Sequence, residues 1–217
     1  MKKNYVFTIS ISLIAFMVFS SLTLAQDLKP IKLPDPQTTG GMPLMQALKE
    51  RKTSREYSTK ELPPKVLSNL LWAGFGISRP DEGKRTAPSA SNKQEIDIYV
   101  TTSKGLYLYD AKSHTLNPVF AGDIRAATGK QAFAGVAPVN LVFVADLSKM
   151  GGGSDTQKGM TANVDTGYIS QNVYLYCASE GLATVARGWF DREELTKKMK
   201  LRSNQRIILT QTVGYPK

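Results

Sequence analysis

Cysteine is nearly missing from this chain: Cys177 is the only one in 217 residues. No internal disulfide can form, whatever the redox compartment. Cys177 sits in an apolar helical stretch, where a thiol reads as a small buried hydrophobe rather than a nucleophile. Histidine is as scarce, and His114, the sole example, falls in an expected turn where a surface role outweighs a catalytic one. No protein nucleophile, metal cluster or catalytic triad is visible. Acidic residues are few as well, 18 against 28 Lys and Arg, which leaves a formal net charge of +10. Such a charge favours anionic ligands and envelope surfaces. The basic residues are scattered, however, without recognition-helix or zinc-finger spacing, which argues against a nucleic-acid partner. No internal repeat is present. Gly151-Gly152-Gly153-Ser154-Asp155 is a flexible loop, but no Lys-Ser or Lys-Thr follows it in a strand-to-helix setting, so it is not a nucleotide P-loop.

The first residues read as an export signal. Lys2 and Lys3 precede an uncharged, mostly apolar run from Tyr5 to Phe19, and Thr23-Leu24-Ala25 suits a small-residue cleavage site. A retained membrane anchor is the competing reading, since residues 4–25 are long enough to span a bilayer. Ser20, Ser21 and Thr23 favour cleavage instead. No twin arginine precedes the run, so the chain is expected to cross unfolded, and no cysteine is placed for a lipid anchor. Removing those 25 of the 217 residues leaves 192, enough for one domain with a substantial core. The expected divisions are a signal over 1–25, an extended arm over 26–42 and one domain over 43–217, outside the cytoplasm.

Apolar periodicity gives the expected elements. Pro43 to Glu50 forms a short helix, with Leu44, Ala47 and Leu48 at helical spacing. Pro63-Pro64 opens a second, striped by Val66, Leu67, Leu70, Leu71 and Trp72 and ended by Gly74 and Gly76. Ser78 to Gln94 reads as a long loop. Strands are expected over Glu95 to Thr102, Gly105 to Asp110, Thr115 to Phe120, Val139 to Leu147, Ala183 to Arg187 and Gln205 to Val213. Asp123 caps a short helix through Thr128. Thr161 to Gly181 is the longest helix, with Val164, Tyr168, Gln171, Leu175, Ala178 and Leu182 nearly on one face. Gln171 and Asn172, polar amides in that helix, require partners. Asp191 with Glu194 makes a capping box for a helix through Met199. Helices and strands mix without βαβ alternation, which predicts an α+β fold.

Arg51-Lys52-Thr53-Ser54-Arg55 stands out because guanidinium forks, an ammonium and hydroxyls within five residues can surround a phosphate. A solvated helix end is the plainer account of the same residues. Their setting favours the phosphate. Arg51 through Tyr57, Leu70-Leu71-Trp72-Ala73-Gly74-Phe75-Gly76, Arg85-Thr86-Ala87-Pro88-Ser89-Ala90 with Asn92 and Gln94, Asp165-Thr166-Gly167 through Gln171-Asn172, Gly181-Leu182-Ala183-Thr184 with Gly188, and Val213-Gly214-Tyr215-Pro216 occur in one order. In that order they resemble the flavin-dependent nitroreductase superfamily, over roughly residues 43 to 217. The Arg85 to Ala90 loop is also similar to that of the azoline-oxidising dehydrogenases of peptide maturation.

The resemblance implies a mostly antiparallel central sheet flanked by helices, an intimate homodimer, and one FMN in each of two interface sites. It implies that Arg51, Lys52, Thr53 and Arg55 hold the phosphate and ribityl chain. Pro88, Ser89 and Ala90 would come from the partner subunit, with Asn92 reaching a ring or ribityl oxygen. Gly188 would place a backbone N–H near the flavin N5. Many members carry a further basic residue near the C-terminus, for which the candidates are Lys200, Arg202, Arg206 and Lys217, Arg202 standing for them in the expected site. The implied activity is FMN-dependent electron transfer to a nitroaromatic, quinone or enone. An exported member would lack nicotinamide donors and would take electrons from a quinol, a redox protein or another reductant. The alternatives are an azoline dehydrogenase-like enzyme and a non-catalytic protein that uses a basic cleft for an anionic ligand.

Overall fold

A computed structural model describes residues 28–217; the expected signal and its cleavage site lie outside the described residues. Seven strands form one sheet in the order β1-β6-β5-β4-β7-β9-β8. They are β1 (Ile31–Lys32), β4 (Ile96–Thr101), β5 (Gly105–Asp110), β6 (Thr115–Ala121), β7 (Val139–Asp146), β8 (Ala183–Arg187) and β9 (Gln205–Gly214), and every neighbouring pair is antiparallel. The helices are α1 (Leu44–Glu50), α2 (Pro64–Phe75), α3 (Phe133–Val136), α4 (Asp155–Ser179) and α5 (Arg192–Met199). The α+β expectation holds, with a wholly antiparallel sheet.

The continuous apolar run of β7 has a direct physical cause: both faces of the strand are covered. Leu141, Phe143 and Ala145 face α2 and α4, together with Ile96, Ile98 and Val100 of β4. Val142 and Val144 face α5, packing with Leu195, Met199 and Ile207. All eight residues of β7 are buried, and each large side chain so covered contributes roughly 1.5–3 kcal/mol. Period-2 alternation disappears from such a strand because there is no wet face to carry polar residues.

Three segments depart from expectation. The stretch expected as a loop over 78–94 holds a two-stranded ribbon, β2 (Ile77–Arg79) with β3 (Lys84–Arg85), closed through Gly83 at φ +62°. These strands are too short to produce a periodicity. The longest helix begins at Asp155, six residues before the expected start, because Ser154 and Gln157 form a reciprocal capping box ahead of the apolar positions. The predicted apolar stripe is also not the buried one: α4 buries Ala162, Asp165, Thr166, Ile169, Ser170, Val173 and Cys177, and exposes Met160, Val164 and Tyr168. The same inversion occurs on α1, where Ala47 is buried while Leu44 and Leu48 are exposed.

The arm is tied down rather than trailing. β1 pairs with β6, Leu33 N–H donates to His114 O (3.1 Å), and His114 bridges Ser68 (2.7 Å) to Tyr109 (2.9 Å). Ser68 spends its hydroxyl proton on Pro34 O, so His114 Nε2–H donates to Ser68 and Nδ1 accepts from Tyr109. His114 is thus half-buried and structural, and burial lowers its pKa.

Candidate functional site

The basic segment folds against β8, an edge strand of the sheet. Ser54 N–H donates to Thr184 O at 3.0 Å, and Tyr57, buried beneath, donates its hydroxyl to Ser54 O at 2.7 Å. Tyr174 of α4 completes the junction: its hydroxyl accepts from Ala186 N–H at 2.9 Å and bonds Thr53 Oγ1 at 3.2 Å, while the Arg51 guanidinium lies 5.4 Å from its ring centroid. Arg51 and Thr53 are therefore brought to the strand through Tyr174, Lys52 shares a cleft with Ala183 and Thr184, and Arg55 follows Ser54 in the chain. Among the described residues none of these three cations has a carboxylate partner. A cleft of about 290 Å³ lies alongside, with Glu50, Lys52, Ser54, Tyr174, Ala183 and Thr184 in its lining. Unpaired cations, a hydroxyl and exposed backbone suit an anion better than a merely solvated helix end does.

Gly188 follows β8 directly, two residues past Ala186 and about 7 Å farther along the chain. It is exposed, and a Cβ built on it meets no heavy atom within 4 Å. Open space over a backbone N–H at the end of a rigid strand allows a planar ligand to approach closely. The rigidity comes from Arg187. Its side chain is buried, with Nη1 donating to Thr128 O (3.1 Å), Nη2 to Asn140 Oδ1 (2.8 Å), and the guanidinium 5.5 Å from the Phe133 ring centroid. Desolvation without a carboxylate lowers its pKa to about 10. Asn140 is itself held by Thr212 Oγ1 (2.6 Å) and donates to Ala134 O (2.9 Å). Neither Arg187 nor Tyr174 was singled out by sequence reasoning. A lone arginine at the end of an apolar strand was the available sign for the first.

Pro88, Ser89, Ala90 and Asn92 form a second group. Ala90 N–H donates to Asp165 of α4 at 2.9 Å, nine residues or about 13 Å along that helix from Tyr174. Within one chain this loop does not join the Arg51 to Arg55 group. Its backbone is strained, with Ser91, Asn92 and Gln94 at φ +51°, +53° and +49°. Non-glycine residues in this region are sparse and cluster at functional sites. Asn92 Oδ1 accepts from Gln94 Nε2 at 2.9 Å.

Arg202 is elsewhere. It ion-pairs with Asp146 at 2.5 Å, at the end of β7 opposite Val139, whereas Val139 and Val213 are the residues in register with Thr184. The length of β7 separates it from Arg51 to Arg55 because the α5–β9 connection returns at the far end of the sheet. Arg206 is likewise taken by Asp155. The amides of α4 also divide: Asn172 Nδ2 points to Gly74 O at 3.5 Å, a weak contact, and Gln171 is exposed.

The nitroreductase family's sequence profile matches residues 48–215, most of the chain. The chain belongs to the nitroreductase family. A candidate nitroreductase of Methanocaldococcus jannaschii is 28% identical over 193 residues, covering 84% of this chain and 96% of that protein. The crystal structure of a candidate nitroreductase from Ralstonia eutropha superposes with a TM-score of 0.84 at 42% identity, covering 89% of this chain and 92% of the other. A trifolitoxin-processing protein of Rhizobium leguminosarum is 35% identical over only 68 residues, 28% of this chain and 26% of that protein. Membership in the nitroreductase family places the chain among flavin-type oxidoreductases. The β8 edge fits such a group: cations lie at one end and an unobstructed glycine at the other.

Proposed function

We propose that this nitroreductase-family protein is an FMN-dependent oxidoreductase, passing electrons to a small organic acceptor such as a nitroaromatic, quinone or enone. The observation that carries the reading is the shared edge strand: one short strand brings Thr53 and the cations Arg51, Lys52 and Arg55, which have no carboxylate partner among the described residues, to within two to four residues of an open Gly188. Arg51 and Arg55 neutralise a phosphate, Thr53 bonds it or the ribityl chain, and Gly188 offers its N–H where no side chain obstructs the approach. Bound FMN supplies the hydride and electron chemistry, and the protein supplies position, charge and exclusion of water. Pro88, Ser89, Ala90 and Asn92 serve the site of the second subunit in a homodimer, which accounts for their distance from Arg51 within one chain. A binder of simple anions needs the cations but has no use for the bare glycine, so the enzyme reading explains more of the site. The local match to the trifolitoxin-processing protein makes azoline-containing peptides one electron-donor class to assay, the azoline being oxidised to an azole as the flavin is reduced. Residues 1–25 act as an export signal in this proposal, so the electron donor is a quinol or redox protein rather than a nicotinamide.

Protein purified from the envelope fraction is expected to absorb at about 450 nm, to bleach under dithionite and to recover with a quinone. A colourless protein that ignores added FMN sinks the proposal.

A further inference from the structure

Glu95 lies at the junction of the strained loop and β4, and its side chain is fully buried, with 0% of the residue exposed. Neither carboxyl oxygen meets a hydrogen-bond donor among the described residues. The polar group that faces it from α4 is Asp165, itself 3% exposed. A buried carboxylate with no donor beside a second carboxylate is untenable, because burial and like charge both oppose ionisation. A proton between them removes the conflict. Glu95 O–H then donates to Asp165, and the Asp165 carboxylate keeps a lone pair for Ala90 N–H, the bond of 2.9 Å.

That bond has a special place in the loop. The start of the segment is fastened to α2, through Thr86 N–H to Gly76 O and Arg85 Nη1 to Phe75 O. Gln94 is held from within the segment, by Ser89, Arg85 and Gly83. The strained turn from Ser89 to Asn92 is reached from the rest of the fold by Asp165, among the described bonds. Residues at positive φ persist only where surrounding contacts over-determine them.

We propose that Glu95 and Asp165 share one proton and act together as a clasp that positions the Pro88 to Asn92 loop. The clasp stands on this chain's geometry; only its purpose, presenting the loop to FMN, rests on the flavin reading. Asp165 and Glu95 are positioning residues and touch no reacting atom. Burial first, then Asp165, raises the Glu95 pKa to about 7. The Glu95 backbone N–H beside its own carboxyl pulls the other way, and so, more weakly, does Lys149 from the turn before α4, which is paired to Asp97 at 2.6 Å. The sign follows. A carboxyl whose folded pKa is raised holds its proton below about pH 7 in the native state and loses it above. The clasp is therefore closed on the acid side, and it opens as pH rises and the two carboxylates repel.

Amide hydrogen exchange at Ala90, corrected for intrinsic rates, reads the clasp without reference to flavin. Wild-type protection is expected to fall about tenfold or more between roughly pH 6 and 8.5, with a midpoint near 7. Glu95→Gln keeps a donor toward Asp165 and cannot titrate, so its protection should be high and flat. Asp165→Ala should be unprotected at every pH. A flat wild-type profile, or a Glu95→Gln profile that keeps the wild-type midpoint, overturns the proposal. Should Glu95→Gln fail to fold, carbon NMR of the wild-type carboxyls decides: a Glu95 midpoint at the ordinary glutamate value also overturns it. FMN affinity measured across the same range separates the two readings. If Ala90 behaves as described and FMN binds at no pH, the clasp stands and the flavin reading falls.

Discussion

Arg51 and Arg55 have no carboxylate partner among the described residues, and their removal has a defined expectation. Each charge-assisted bond to a phosphate contributes about 1.5–3 kcal/mol, a factor of roughly 10 to 100 in affinity. The double variant Arg51→Ala with Arg55→Ala should lose FMN by fluorescence titration while its circular dichroism stays unchanged, since neither side chain packs in the core. Arg202→Ala is the matched control. Its guanidinium is 62% exposed and its partner Asp146 keeps Ser148 and Asn204, so a loss below about 1 kcal/mol in stability is expected, with FMN affinity intact. At this scale the basic cluster and Gly188 were legible, because residue type alone advertises charge and the lack of a side chain. Tyr174 was not, since a tyrosine on a long helix gives no sign that its hydroxyl will meet Thr53 and Ala186 of other elements. Nor was the diversion of Arg202 to Asp146, which depends on where a connection re-enters the sheet.

The elements were readable where burial imposed a period or a continuous run. β5 and β8 were expected with the bounds they have, and β7 within one residue, because a strand covered on both faces has to be apolar throughout. What escaped was set by contacts between elements. Gly129 shows this most sharply: a Cβ there would lie 1.7 Å from Arg187 Nη1, so the buried guanidinium and the bare glycine require each other. Gly129→Ala should cost roughly 1–3 kcal/mol through overpacking, seen as a lowered Tm. Gly159→Ala, inside α4 with only Arg206 at 4.0 Å, should instead gain about 0.5–1 kcal/mol from helix propensity. Equal responses from the two would mean that Arg187 is not held as described.

For the whole molecule, the inverted stripes of α1 and α4 carry the weight. Leu44, Met45 and Leu48 on one helix and Met160, Val164 and Tyr168 on the other are exposed, and apolar positions gathered on two helices mark an interaction surface. We assign that surface to the second subunit of the proposed homodimer. Val164→Glu with Tyr168→Glu should give a folded monomer by sedimentation equilibrium, with FMN lost because the partner's loop leaves the site. A double variant that remains dimeric would move the interface elsewhere.

The α+β class, most of the elements and the residue types able to hold a phosphate beside an open backbone were legible in the chain's local chemistry alone. These follow from local chemistry: periodicity, capping and charge are properties of neighbours along the chain. The tertiary structure decided which of those residues meet. It set the Arg51 to Arg55 segment against β8, sent Arg202 to the far end of the sheet, turned Met160, Val164 and Tyr168 of α4 outward and buried Glu95 beside Asp165. Each of these is a contact between segments distant in sequence. Periodicity can mark a face as apolar, but only the packed fold determines what covers it.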